Sequence, residues 1–383
     1  MRDRLRKFRS RFGQWLRLHR RGVLLVFWFF FFFTAGGGYL FLSQSLALPF
    51  INPLGLLTDE PLLILSSPEN RDRPNPISGV FYSGEEAGAW DERRPLAVMI
   101  DNHALARPSQ FGLQKADLIY EAVAEGGITR FLAVFHSQDV EKLGAVRSAR
   151  VYYIDWALEF PAYYAHIGGA STPGSPANIN AYIPRHDVLS LNQFRLGTST
   201  YTFGGNVIFS GGKILSRLYY TSTAKLWEAG EKLYPGTNEL PDLTSWKFKA
   251  DRPFSERPET QAVTFSFGYL ALYAGRWVYE PENNVYLREQ GGEIHRDQAT
   301  GEQISAKNVV LASMDERFAG DGTSHRLYLT TGEGNALLYR DGKRIPATWR
   351  RPFLSSRMRF FERGTDKELE FNRGLTWIEV IPR

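Results

Sequence analysis

One long apolar run and many short alternating ones divide this chain into a membrane segment and folded regions. Residues Val23 to Leu42 carry no charge and include seven consecutive aromatic residues, Phe27 to Phe33. A helix needs about 20 apolar residues to cross the hydrocarbon core of a bilayer. The pattern therefore predicts one transmembrane anchor over residues 22–42.

The charges around this run predict its orientation. The tail over residues 1–21 holds nine basic residues and one acidic residue, and no Lys or Arg follows Leu42 until Arg71. Positive charge stays on the cytoplasmic side, and a basic cluster beside a membrane attracts anionic lipid. We expect a single-pass signal-anchor protein of the cell membrane, with its C-terminal part extracytoplasmic.

A cleaved signal peptide is the alternative to an anchor. The apolar run is long, the basic region is extended, and Ser43 to Phe50 offers no convincing small-x-small cleavage site. These features favour an uncleaved anchor.

Beyond the anchor, a Pro-containing linker is predicted over residues 43–91 and an α/β domain over residues 92–235. Short apolar runs predict strands over Leu96–Ile100, Ala116–Glu125, Thr129–His136 and Ala162–Ile167. Ser148 is expected to cap a helix over residues 149–160, and Pro173 to begin a second helix.

A second domain is predicted over residues 261–383, after an inter-domain segment over residues 236–260. Its pattern is that of β-strands throughout, with Asp341-Gly342 as a hairpin turn. The fold class we expect is therefore α+β, with an N-terminal α/β domain and a β-rich C-terminal domain.

Composition excludes several classes of function. The net charge of +5 is misleading, because the tail contributes +8 and leaves −3 for the rest of the chain. A nucleic-acid-binding role is therefore not expected. The chain has no cysteine, which excludes disulfides and thiolate chemistry. No nucleotide-binding, zinc-protease or calcium-binding motif occurs, so neither a cofactor nor a metal is expected.

Two glutamates and an arginine lie around a predicted hairpin. Gly126-Gly127 separates its strands, which is a strong signal for a two-residue turn. With that turn, Glu121 and Glu125 share a sheet face with Arg130. This arrangement fits either a salt-bridged sheet face or a site in which the acids bind a ligand or a divalent cation.

Two more arginines flank the predicted helix start. Arg147 and Arg150 oppose the helix dipole, which favours anions at that end, so a carboxylate or phosphate is expected among them. The carboxylate could equally belong to the protein. The predicted ligand-binding residues, expected to meet in one pocket, are Asp101, Asn102, Glu121, Glu125, Arg130, Arg147, Arg150 and His166.

Several segments resemble a known family. In the first half they are Arg94–His103, Ala106–Pro108, Ala116–Glu121, Glu125–Phe131, Gly144–Arg150 and His166–Gly169. In the second half they are Asp297–Gly301, Ser305–Val309, Ala336–Lys343 and Thr376–Ile378. In this order, from about Asn75 to Pro382, they resemble the YerB-like family of bacterial envelope lipoproteins. The resemblance implies two consecutive domains of unknown function on a membrane-attached protein.

The chain departs from that family in two ways. Members typically carry a lipid-modified cysteine, which this chain lacks. Members also tend to show a His-Asn pair before a Leu-Tyr-Thr-Ser segment, where this chain has Arg217-Leu218-Tyr219. The anchor helix is expected to replace the lipid.

We expect a non-enzymatic envelope protein that binds a cell-wall ligand or a membrane protein of wall synthesis. One alternative is a hydrolase of envelope glycan or peptide, with Asp101 or Glu121 as general acid or base and His166 assisting. Another is a structural module that organises partner proteins through its β-rich half.

Overall fold

The predicted tail, anchor and most of the linker lie outside the residues that the structure describes. This computed structural model describes residues 71–208, 212, 214–237 and 243–383. Within those ranges, no helix is both long enough and apolar enough to cross a bilayer.

Helices are short, and most lie in the first half. The α-helices are α1 (Gly84–Asp91), α2 (Val151–Ala157), α3 (Ile179–Arg185), α4 (Gln193–Leu196) and α5 (Thr223–Leu233). Three-residue to six-residue 3-10 turns include Ala104–Ser109, Leu113–Lys115, Glu125–Gly127 and Ala271–Tyr273.

Strands dominate the fold. They are β1 (Arg73–Pro74), β2 (Phe81–Tyr82), β3 (Leu96–Asp101), β4 (Leu118–Val123), β5 (Thr129–Phe135), β6 (Leu143–Gly144), β7 (Tyr163–His166), β8 (Ser190–Asn192), β9 (Thr202–Ile208), β10 (Ile214–Thr221), β11 (Lys247–Lys249), β12 (Ala262–Phe265), β13 (Gly275–Glu280), β14 (Val285–Gln290), β15 (Glu293–Ile294), β16 (Ser305–Ala306), β17 (Asn308–Met314), β18 (Glu316–Phe318), β19 (Arg326–Tyr328), β20 (Gly332–Arg340), β21 (Lys343–Arg351), β22 (Arg359–Glu362), β23 (Glu370–Asn372) and β24 (Thr376–Pro382). The mixed, sheet-rich architecture confirms the α+β class.

One ten-stranded sheet draws strands from both halves of the chain. Its order is β22-β21-β20-β17-β24-β4-β5-β3-β7-β8. β24 pairs in parallel with both β17 and β4. The division into two domains at residues 236–260 stays a prediction, and the described part of that segment includes β11, which pairs with β23.

The two faces of this sheet bury different partners. On one, which we call the α2 face, Met99 and Leu132 pack with Tyr153 and Trp156 of α2. On the other, which we call the α5 face, residues such as Val98 pack with α5 and with a five-stranded sheet of β12–β16. Alternating side chains of each strand therefore serve two cores.

Part of the predicted linker is ordered structure. Residues 71–91 form the β1–β2 hairpin and α1. Ser83 Oγ accepts a hydrogen bond from the backbone N–H of Glu86 at 3.2 Å, and the Glu86 carboxylate accepts one from the Ser83 N–H at 2.8 Å. This reciprocal capping box stabilises the helix start, and the sequence analysis missed it.

Two predicted helix starts are wrong. α2 begins after Arg150, whose side chain does not cap the helix, and not after Ser148. No helix begins at Pro173; α3 begins later, where Asn178 accepts a hydrogen bond from the N–H of Asn180. A proline suits a first helical turn, but it also suits the turns that the chain forms here.

Candidate functional site

The connection between β4 and β5 determines which of the predicted residues can meet. It runs from Ala124 to Ile128 and contains a 3-10 turn, so the two-residue turn predicted at Gly126-Gly127 is wrong. Arg130 consequently pairs with Ala122 and not with Val123. A one-residue shift of register moves every side chain to the opposite face.

This shift divides the eight predicted residues between the two faces. Arg130 shares the α2 face with Leu132, whereas Glu121 lies beside Ile119 on the α5 face. The α2 face carries Asp101, Glu125, Arg130, Arg147, Arg150 and His166, and the α5 face carries Asn102 and Glu121. The predicted single pocket is therefore not formed.

On the α2 face, three guanidinium groups meet two carboxylates. We call this set, which consists of Asp101, Glu125, Arg130, Arg147 and Arg150, the arginine cluster. Arg150 forms a bidentate ion pair with both carboxylate oxygens of Glu125. Arg130 Nη2 lies 3.3 Å from Glu125 Oε2, and Arg147 Nε lies 3.2 Å from Asp101 Oδ2.

The ion pairs of Glu125 keep its carboxylate charged. Burial alone would raise the pKa of Glu125, but hydrogen bonding and charge from Arg150 and the charge of Arg130 outweigh it and lower the pKa to about 2. Asp101 also accepts hydrogen bonds from the N–H of His103 at 3.0 Å and from Ser216 Oγ at 3.4 Å.

The cluster has more positive than negative charge. Burial, together with the positive charges of Arg150 and Arg147, lowers the pKa of Arg130 to about 10. The Nε atom of Arg130 is buried without a hydrogen-bond partner among the described residues. Arg130 is repelled by the positive charges of its two neighbouring arginines. An anion bound beside them would relieve this repulsion.

The cluster opens to solvent at one end. The side chain of Arg147 is 27% exposed and that of Glu125 is 21% exposed, whereas those of Arg130 and Arg150 are 9% and 8% exposed. Arg147 is therefore the arginine that an outside ligand can reach.

His166 is sealed within the protein. Its Nδ1 lies 2.8 Å from the Gly168 carbonyl oxygen, and its Nε2 lies 2.8 Å from Ser190 Oγ. A neutral ring with its proton on Nδ1 satisfies both, donating to the carbonyl and accepting from the hydroxyl. Burial lowers the pKa of His166 to about 4, so the ring stays neutral and its contacts are those of a core histidine.

On the α5 face, Glu121 belongs to an ion network that the sequence analysis missed. Arg288 of β14 bonds through its two terminal nitrogens to Glu121 and to Glu379, and all three side chains have no solvent exposure. Glu379 lies directly beside Glu121 in the parallel pairing of β24 with β4. Arg288 therefore attaches the five-stranded sheet to the ten-stranded one.

The surroundings of Glu379 favour its protonated form. Burial raises the pKa of Glu379 well above its ordinary value, and the neighbouring charge of Glu121 raises it further against the opposing effect of Arg288. Two carboxylates that share one guanidinium cannot both ionise easily in a buried place.

Amide and imidazole groups complete this network. Asn102 Nδ2 donates to Glu121 Oε1 at 3.1 Å, and Gln290 Nε2 donates to the same oxygen at 2.9 Å. His295 accepts from Arg288 Nε at 2.9 Å through Nδ1 and donates from Nε2 to Gln110 Oε1 at 2.6 Å. Burial and the charge of Arg288 lower the pKa of His295, which keeps the ring neutral.

A polar cavity of about 270 Å³ adjoins this network. It lies between the 3-10 turn Ala104–Ser109 and the β14–β15 hairpin, and we call it the Arg107 pocket. Its lining includes Arg107, Gln290, Ile294 and His295. A larger cavity of about 750 Å³, with a mainly apolar lining, contains none of the eight predicted residues.

Both sequence and structure of known proteins resemble this chain. The profile of the protein of unknown function (DUF3048) N-terminal domain matches residues 82–201, and that of its C-terminal domain matches residues 265–378. YerB of Bacillus subtilis (strain 168), provisionally named a lipoprotein, is 32% identical over 302 residues, which is 76% of this chain and 82% of YerB. The crystal structure of the YerB protein from Bacillus subtilis superposes with a TM-score of 0.66 at 26% identity, covering 81% of this chain and 97% of that one.

Proposed function

We propose that this chain, which belongs to the DUF3048 family, is a membrane-tethered envelope protein that binds an anionic cell-wall ligand. Its membership of the family confirms the resemblance inferred from its motifs. The ligand would engage the arginine cluster. The alternative occupant is a carboxylate-bearing partner protein of wall synthesis.

The proposed tether is the apolar run from Val23 to Leu42. The name of YerB describes a lipoprotein, but this chain has no cysteine to carry such a lipid. The basic tail would sit against anionic lipid in the cytoplasmic leaflet. The folded residues would then stand outside the membrane, beside the wall.

The observation that carries the proposal is the excess positive charge of the arginine cluster. Three guanidinium groups face two carboxylates, and Arg147 is both the most exposed of the three and only singly paired. Arginine binds carboxylate and phosphate with paired, charge-assisted hydrogen bonds. A carboxylate or phosphate on a wall polymer therefore matches this site.

The contacts favour binding over hydrolysis. A general acid at neutral pH needs a raised pKa in a place that the substrate can reach. Asp101 is 2% exposed and paired with Arg147, Glu121 has no solvent exposure, and His166 uses both ring nitrogens inside the core. The hydrolase alternative has no specific support.

Arg147→Ala tests the proposal. Soluble muropeptides with free carboxylates are titrated into the full chain by calorimetry, and the same muropeptides with amidated carboxylates serve as the neutral probe. We expect Arg147→Ala to weaken binding of the acid about tenfold or more, because a charge-assisted hydrogen bond contributes about 1.5–3 kcal/mol. Binding should also weaken as salt increases.

Arg350→Ala is the matched control. Arg350 is 39% exposed and pairs with Glu333 and Asp366 on another part of the surface, so its loss should leave the affinity unchanged. Equal binding by wild type and Arg147→Ala, or equal binding of acid and amide, would contradict the proposal.

A further inference from the structure

The Arg107 pocket contains charge and hydrogen-bonding capacity that the protein itself does not use. Its lining includes none of the residues of the arginine cluster, so it is a separate site from the one proposed above. We infer that this pocket is a second ligand site, which takes the carboxylate end of a short peptide.

No carboxylate of the described residues forms an ion pair with the guanidinium group of Arg107. Its Nη2 donates to the Leu272 carbonyl oxygen at 2.7 Å, and its guanidinium lies 5.0 Å from the centre of the Tyr273 ring. Among the described residues it forms no ion pair within 4.0 Å, and its buried Nε has no hydrogen-bond partner. Glu293, which also lines the pocket, and Glu121 favour its charge only from a longer distance. A half-buried cation without a carboxylate partner is costly, and a ligand carboxylate would remove that cost.

Gln290 Oε1 is a hydrogen-bond acceptor without a donor among the described residues. The Gln290 side chain is only 2% exposed, and its Oε1 has no partner among the described residues. Its Nε2 donates to Glu121, which fixes the orientation of the amide, because the reverse orientation would set two oxygens against each other. The group that Oε1 lacks is a donor such as a peptide N–H.

Size and apolar walls narrow the class of ligand. A cavity of about 270 Å³ is just below the range of about 300–1,000 Å³ that is typical of sites for drug-sized ligands. Leu272 and Ile294 line it and are 47% and 50% exposed, so they offer apolar contact near the opening. One or two small residues at a peptide C-terminus combine all three requirements: a carboxylate for Arg107, an N–H for Gln290 and side chains for the apolar wall.

The probe is N-acetyl-alanyl-alanine, compared with the same dipeptide amidated at its C-terminus. Both are titrated into the full chain by calorimetry. We expect the acid to bind at least tenfold more tightly than the amide. Arg107→Gln should abolish this difference by weakening only the binding of the acid, and Arg350→Ala should preserve it.

A second variant tests the inference if Arg107→Gln does not fold. Ile294→Glu places a negative charge at a half-exposed position of the wall and should also weaken binding of the acid about tenfold or more. Circular dichroism identifies whether each variant is folded. Equal affinity of wild type for acid and amide, no binding of either, or unchanged binding of the acid by folded Ile294→Glu would overturn the inference.

Discussion

At the scale of single residues, the environment determines which charged groups remain available. His166 illustrates this, because its ring is hydrogen-bonded on both sides and has no solvent exposure. In the hydrolase alternative the same residue was expected to assist a catalytic carboxyl group. What distinguishes the two roles is burial, which a sequence does not display.

His166→Gln should make stability less dependent on pH. The pKa of His166 is lowered to about 4 in the fold, against about 6.5 in the unfolded chain. Between these values the unfolded state binds more protons, so stability falls as pH falls from about 6.5 towards 4. By pH 5 this single group should cost roughly 2 kcal/mol, and urea unfolding at pH 7.5 and pH 5 measures it.

His186→Gln is the control for this experiment. His186 is only partly buried, beside the Tyr182 ring, so its replacement controls for the loss of an imidazole outside the core. The pKa values of His136 and His295 are also lowered. His166→Gln and His186→Gln both keep these two histidines and their contribution to the pH dependence of stability. An unchanged pH dependence in His166→Gln would show that the ring is not held neutral.

At the scale of elements, the contact between the two sheets depends on one buried arginine. Arg288 meets Glu121 from β4, Glu379 from β24 and His295 from the neighbouring hairpin. Its guanidinium also lies 4.5 Å from the centre of the Trp377 ring. The second sheet is therefore held to the first by a charged contact within an aromatic core.

Arg288→Met and Glu379→Gln should have unequal effects on stability. Removing the arginine leaves buried acids unpaired and should cost about 3–5 kcal/mol. Glu379 is protonated in the fold, so glutamine replaces a neutral group with another neutral group and should cost far less. Because the folded state alone keeps this proton, Glu379→Gln should also reduce the fall in stability as pH rises above about 5.

Arg276→Met provides the matched comparison on the same sheet. Arg276 is 44% exposed and pairs with Glu289, and exposed pairs contribute about 0–1 kcal/mol. Urea unfolding gives all three values. A loss in Glu379→Gln as large as that in Arg288→Met would mean that both carboxyl groups are ionised.

Strands were more predictable than the site that they build. Short apolar runs located β3, β5 and β7 to within a few residues, because each of these strands is buried along its whole length. The error at the β4–β5 hairpin lay in the length of its loop, where Gly127 packs so closely that a Cβ would lie 2.7 Å from that of Tyr269. Such a contact between distant segments is absent from the local sequence.

One missed residue had no signal in its own strand. In Val285–Gln290, alternate positions Tyr286, Arg288 and Gln290 point inward. The other face, with Val285 and Leu287, is the more apolar one in the sequence, so alternation alone predicts an outward Arg288. Its carboxylate partners could not have been identified, because they lie on strands that are distant in the chain.

At the scale of the whole molecule, the location of the folded residues is the property that most affects function. A wall ligand can reach the arginine cluster and the Arg107 pocket only if both stand outside the membrane. The basic tail and the uncharged run Val23 to Leu42 predict this arrangement.

Protease treatment of intact protoplasts tests it. We expect the folded part to be degraded, and a small fragment that contains the tail and the anchor to be protected. Detection of both ends of the chain by antibodies distinguishes the fragments. A folded part that survives on intact protoplasts but is cut after lysis would place it in the cytoplasm.

The position of β24 affects how the protein can be made. Thr376 pairs with Leu118, so β4 has no partner on one side until residues 376–382 have joined the sheet. An unpaired strand edge invites aggregation, and pairing between distant segments is slow. The growing chain would therefore expose an unpaired, aggregation-prone edge until residues 376–382 had been synthesised. Loss of β24 should consequently be far more damaging than loss of β1, which pairs with the two-residue strand β2.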